Sequence, residues 1–77
     1  MRGIYITQAA RKRKIGRAHI EFAMTHAHTV ETVQDVERDP QIVWIGEDDR
    51  GVELEIIAVV LPDKLLIIHV MPTRYRR

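Results

Sequence analysis

The residues best suited to chemistry gather at one end of the chain, in His69-Val70-Met71-Pro72-Thr73-Arg74-Tyr75-Arg76-Arg77. A histidine titrates near neutrality and can give or take a proton at a phosphodiester. Arginine clamps a phosphate through parallel N–H groups, and tyrosine can stack on an unpaired base or hold a phosphate oxygen. His69, Arg74, Tyr75 and Arg76 therefore form the candidate catalytic set, and Arg77 is a candidate RNA contact. The plainer reading is a hydrogen-bonded core histidine followed by a solvated basic tail. Tyr75 weighs against a mere tail, because it is one of only four aromatic residues and lies among the arginines.

A second basic group is Arg11-Lys12-Arg13-Lys14 with Arg17. On a helix these side chains spread around the axis, so most would only solubilise it. Arg13 and Arg17 fall one turn apart and could together meet a phosphate backbone, which makes them candidate RNA-binding residues. The net charge of +1 hides a segregated pattern. Residues 1–19 hold six cations and no acid, residues 20–63 hold all eleven acids against two arginines, and residues 64–77 hold four cations. A fold that joined the two basic ends would create a positive patch.

Other chemistry finds little support. His26-x-His28 could share a metal only on an extended segment, and no third ligand is clearly placed, so no metal and no cofactor are expected. There is no glycine-rich phosphate loop, serine elbow or paired-carboxylate motif. Glu53 and Glu55 share a strand face, which the polar alternation of an exposed face explains. The absence of cysteine excludes disulfides and fits a reducing, cytoplasmic setting. No apolar run reaches signal-peptide or membrane-spanning length, so no membrane partner is expected.

Seventy-seven residues suffice for one domain, near the lower limit for a self-sufficient core, and neither a repeat nor a linker divides residues 1–77. Thr7–Lys14 reads as a first helix with Thr7 as N-cap, interrupted by Ile15-Gly16. Arg17–His26 is the clearer helix, with Ile15, His19, Phe22, Ala23 and His26 on one face and Ile20, Met24 and Ala27 widening it. Thr29–Val36 alternates as a polar edge strand, Glu37–Pro40 reads as a turn and Gln41–Ile45 as a short strand. Gly46–Gly51 is a glycine-bounded loop. Val52–Leu61 and Lys64–Val70 are rich in β-branched residues and leucine, and Leu61-Pro62-Asp63-Lys64 turns between them. The expectation is an α+β domain: one or two N-terminal helices packed on a four-stranded antiparallel meander.

A regular hairpin pairing Leu61 with Lys64 would set His69 opposite Ile56. Leu54, Ile56, Ala58, Val60, Leu65, Ile67, His69 and Met71 would then face the helices. The opposite face would expose Ile57, Val59, Leu66, Ile68 and Val70, a patch suited to a protein partner or a second copy of the chain.

The layout resembles small bacterial toxins of the RelE/ParE superfold, closest to the BrnT-like group of toxin–antitoxin systems. The likeness rests on Trp44-Ile45-Gly46-Glu47-Asp48-Asp49-Arg50-Gly51-Val52-Glu53-Leu54-Glu55, on Ile67-Ile68-His69-Val70-Met71-Pro72 and on the basic end, covering mainly residues 40–77. The resemblance implies a ribonuclease that inhibits translation or growth, acting on RNA with or without the ribosome and restrained by a cognate antitoxin. It also implies His69 as acid or base, Arg74 and Arg76 as phosphate stabilisers, and Tyr75 as an orienting or stacking group. Two other readings stand beside it: a non-catalytic interaction module that uses the apolar face, and a nucleic-acid-binding regulator that uses the basic ends.

Overall fold

A computed structural model describes residues 3–11 and 14–75. Its elements run β1 (Gly3–Ile6), a 3-10 helix (Ala9–Arg11), α1 (Arg17–Thr25), β2 (Thr29–Asp35), β3 (Arg38–Glu47), β4 (Glu53–Val60), β5 (Lys64–Pro72) and a final 3-10 helix (Thr73–Tyr75). The fold is α+β, and the sheet order is β1-β5-β4-β3-β2. Strands β2 to β5 form the expected antiparallel meander. The sheet has a fifth strand, however: β1 lies parallel to β5, with Ile4 beside Leu65 and Ile6 beside Ile67. Among the described residues, no helix is long and apolar enough to cross a membrane.

The N-terminal third thus departs from a pair of helices. Thr7 does act as a cap, its hydroxyl receiving the Ala10 N–H at 3.3 Å while donating to the Ile67 carbonyl at 3.0 Å. The turn it opens ends at Arg11, and Lys14 takes a left-handed φ of 55°, which a right-handed helix cannot include. Helix α1 then buries Ile20 and Ala23 completely, with Met24 and Ala27 against the same core. Phe22 and His26, expected on the buried face, stack on each other at the surface with ring centroids 4.0 Å apart. The C-terminal end of α1 crosses β3 at Gly46. A Cβ there would stand 2.6 Å from the Ala27 Cα and 2.7 Å from the Ala23 carbonyl oxygen, so only glycine permits this approach.

Strand β3 begins at Arg38, not Gln41. Pro40 lies where the ladder is irregular, between the Val33–Gln41 and Asp35–Arg38 pairs, so its missing N–H costs the ladder nothing. The β4–β5 turn closes as expected, with the Leu61 N–H on the Lys64 carbonyl at 2.9 Å.

The decisive difference lies further along β5. Pairing is regular from Val60–Leu65 to Ala58–Ile67, but the next pair is Ile57–His69, so Ile68 is the extra residue of a β-bulge. Beyond the bulge the faces exchange. Val70 pairs with Ile56 and Pro72 with Leu54, and both turn into the core under α1. Val70 is only 5% exposed and does not belong to the open patch. His69 and Met71 move to the open face in its place. Burial explains the preference: a regular register would bury an imidazole and expose a valine, which is unfavourable at both positions.

Candidate functional site on the open sheet face

Helix α1 covers one side of the sheet, and no described element covers the other. On that open side Tyr5 stands next to Leu66, Val59 next to Leu66, and Val43 next to Ile57. Ile68 shares the position of His69 opposite Ile57, as the two residues of a bulge do. Ile57, Val59, Leu66 and Ile68 are each half-buried, and Tyr5 is 57% exposed. Four of the five residues expected at an apolar interface therefore lie on this face, and the fifth, Val70, lies beneath it.

At the end of the face nearest Pro72 the surface turns polar. The alternation of β4 sends Glu53 and Glu55 outward while Leu54 and Ile56 are buried. Each carboxylate holds a histidine from another strand region. His69 Nε2 donates to Glu55 Oε1 at 3.2 Å, and His28 Nε2 donates to Glu53 Oε2 at 2.9 Å. The Thr73 hydroxyl donates to the other Glu53 oxygen at 2.7 Å. Residues two apart on a strand lie roughly 7 Å apart, so the two histidine–carboxylate pairs are neighbours. The His69–Glu55 pair is the more sheltered, with side chains 32% and 14% exposed. With Nε2–H committed to Glu55, a neutral His69 ring presents Nδ1 as a proton acceptor. A carboxylate that fixes the ring's orientation and tautomer is the ordinary support for a histidine base.

Arg74 and Tyr75 follow Thr73 directly in the terminal 3-10 helix. The Arg74 guanidinium carbon lies 5.1 Å from the Tyr75 ring centroid, and its Nη2 reaches the phenol oxygen at 3.5 Å. Both side chains are exposed. Arg76, Arg77 and Arg13 lie outside the described residues. Arg17 sits elsewhere: it donates to the Ile4 carbonyl at 3.0 Å and to Glu21 at 2.8 Å. Ile4 lies beside Leu65 at the start of β5, whereas Arg74 follows its end, roughly 20 Å further along the strand. Among the described residues, the two basic ends do not merge into one patch.

The sequence reading missed Glu53, Glu55, His28 and Thr73 as parts of one site. The signal was present in the Glu53-x-Glu55 alternation, but it matches any exposed strand face. Its partners lie 25 and 14 positions away, beyond the reach of spacing arguments.

A third histidine–acid contact lies in the loop that joins β3 to β4, where His19 Nδ1 meets Asp49 Oδ1 at 2.5 Å. This hydrogen bond is the main reason that the Asp49 carboxyl lies below its ordinary pKa. Asp48 brings a carboxylate oxygen within 4.8 Å of this pair. Asp48 is 3% exposed and already saturated. Its Oδ1 accepts the Arg50 and Val52 backbone N–H groups at 2.8 and 3.0 Å, and Oδ2 accepts Arg50 Nε and Nη2 at 3.0 and 2.7 Å. Burial alone would raise its pKa, but the Arg50 guanidinium and the two backbone donors outweigh it and hold the carboxyl below the ordinary value. A carboxylate so occupied fastens the loop and has no lone pair to spare for a cation.

Comparison with known proteins finds no matching family model, no matching curated relative and no matching solved structure.

Proposed function

We propose that the protein is an endoribonuclease of the bacterial toxin type, with His69 as the acid–base residue and RNA as its substrate. One observation carries the reading: the bulge at Ile68 takes His69 out of the core and sets it on the open face, oriented by Glu55. In the reaction His69 Nδ1 accepts the proton of a ribose 2′-hydroxyl. The 2′-oxygen bonds to the adjacent phosphorus, the bond from phosphorus to the 5′-oxygen breaks, and the 5′-oxygen leaves with the proton that the His69 imidazolium returns. Glu55 stabilises the imidazolium so formed, and Arg74 offers its guanidinium to the developing charge on phosphate. Tyr75 orients or stacks on a base, with Arg76 and Arg77 extending the positive end of the chain. The chemistry needs no metal, because the nucleophile belongs to the RNA itself. The setting of such an enzyme is the cytoplasm, with a cognate antitoxin as its partner.

A second reading, a non-catalytic interaction module, is favoured by the apolar part of the same face, where Ile57, Val59, Leu66 and Ile68 stand without a covering element. One experiment separates the two. The chain is induced alone in a bacterial host, with growth and total RNA followed together. The ribonuclease reading expects growth arrest with RNA fragmentation, lost in His69→Ala and strongly reduced in Glu55→Gln. Intact RNA and normal growth from abundant folded protein would refute it and leave the interaction module. Arrest that survives His69→Ala would remove His69 from the mechanism.

A further inference from the structure

On the helix side of the sheet, away from His69, lies a cavity of about 360 Å³ lined by Ile6, Arg11, Lys14, Ile15, Gly16 and Arg17. The geometry points to this cavity as a binding site for a phosphate group, a site separate from the histidine-bearing face and independent of whether RNA is cleaved there. Among the described residues that line it, Arg11, Lys14 and Arg17 are cations and none is an acid. Backbone carbonyls hold two of them at its wall: Arg11 Nε donates to Ile6 O at 3.2 Å and Arg17 Nη2 to Ile4 O at 3.0 Å. Each guanidinium keeps further N–H groups for a ligand. Glu21, on the far side of Arg17, takes its Nε and leaves the rest of the fork. Among the described residues, the Lys14 ammonium has neither a hydrogen bond nor an ion pair.

Arg17 is paired with Glu21, but Arg11 and Lys14 meet no acid in any of the ion pairs among the described residues, and the planar donor forks of arginine match phosphate oxygens. Ile6 and Ile15, both buried, form an apolar floor on which a sugar or base attached to that phosphate could rest. The volume suits a small ligand or one nucleotide of a strand. The start of α1 opens into the same space, and Gly16, its N-cap, supplies no side-chain oxygen. The first-turn N–H groups therefore add donors to a site that the cavity and its cations define.

The test is a titration of the full ¹⁵N-labelled chain with inorganic phosphate, adenosine 5′-monophosphate and a short single-stranded RNA, each read from backbone amide shifts. Saturable shifts at Gly16, Arg17 and Ala18 are expected, weakened by added salt. Lys14→Asn removes the charge while tolerating the left-handed φ of this position, and Arg11→Gln removes the second cation. Each variant should weaken binding about tenfold, the loss of one charge-assisted hydrogen bond. Similar affinity for the nucleotide and the RNA would identify a free nucleotide as the ligand. Much tighter RNA binding with the same amides shifted would identify a strand phosphate. Shifts confined to residues around His69, affinity unchanged in both variants, or no saturable binding by any probe would overturn the proposal. Because neither variant touches Glu55 or His69, failure here is distinct from failure of the ribonuclease reading.

Discussion

Replacing Val70 and His69 in turn tests the bulge that creates the candidate site. Val70→Ala removes two methyl groups from a side chain 5% exposed and packed opposite the fully buried Ile56. At about 0.8 kcal/mol per buried carbon, the lost transfer energy is about 1.6 kcal/mol, and the cavity brings the total to about 2 kcal/mol or slightly more. For a domain of this size that lowers Tm by roughly 8–16 °C. His69→Ala loses one hydrogen bond to Glu55 at a partly exposed position, so its cost is about 1 kcal/mol or less. The contrast sharpens with charge. Val70→Lys places an unpaired ammonium in the core and should prevent folding, whereas His69→Lys should fold and keep a partner in Glu55. Thermal and urea unfolding followed by circular dichroism would measure all four variants. A regular hairpin would reverse the order, with the substitutions at His69 severe and those at Val70 mild. That outcome would refute the register on which the site depends.

Two further predictions probe what positions the site. Gly46→Ala sets a methyl group 2.6 Å from the Ala27 Cα and 2.7 Å from the Ala23 carbonyl, both backbone atoms, so α1 must move off β3. A loss of about 1–3 kcal/mol is expected by urea unfolding, while Gly3→Ala, with nothing within 4 Å of the new Cβ, should be neutral. Asp48→Asn turns an amide toward the Arg50 guanidinium and should cost about 2–3 kcal/mol at neutral pH. Its pH dependence has a definite sign. The folded Asp48 carboxyl lies below its ordinary 3.8, so the unfolded chain takes up the proton first as the solution is acidified. The stabilisation is complete above that value and disappears as pH falls through the folded pKa. The gap between wild type and Asp48→Asn should therefore narrow below about pH 4. A gap that stays constant down to pH 2 would show that the charge of Asp48 contributes nothing.

What was legible in the sequence follows the range of the interactions involved. The β4–β5 hairpin could be read because its turn chemistry is local and its strands are dense in β-branched residues. The Thr7 cap was legible for the same reason, but the length of the helix behind it was not, since Lys14 leaves the helical region without a proline or glycine to announce it. Strand β1 escaped notice because Gly3–Ile6 is short and acquires its strand character from β5, sixty residues away. The bulge is the instructive failure. Alternation along Leu65–Met71 is compatible with a regular strand, and nothing local marks Ile68 as the extra residue. The register is chosen by burial summed over both ends of the hairpin: the turn fixes Leu65 and Ile67 inward, while Val70 and Pro72 also favour the core. Inward positions at 67 and 70 are three apart, and a strand of period two cannot serve both without one inserted residue. The spacing Ile67-x-x-Val70, bracketed by a turn on one side and an inward Pro72 on the other, was therefore the available signal. The same arithmetic fixes the site. With Ile67 and Val70 both inward, Ile68 and His69 must share the open face, one extending the apolar patch and the other meeting Glu55. A single inserted residue thus seats the end of the core and brings the histidine to the surface, and core stability and site geometry cannot be altered separately at this point of the chain.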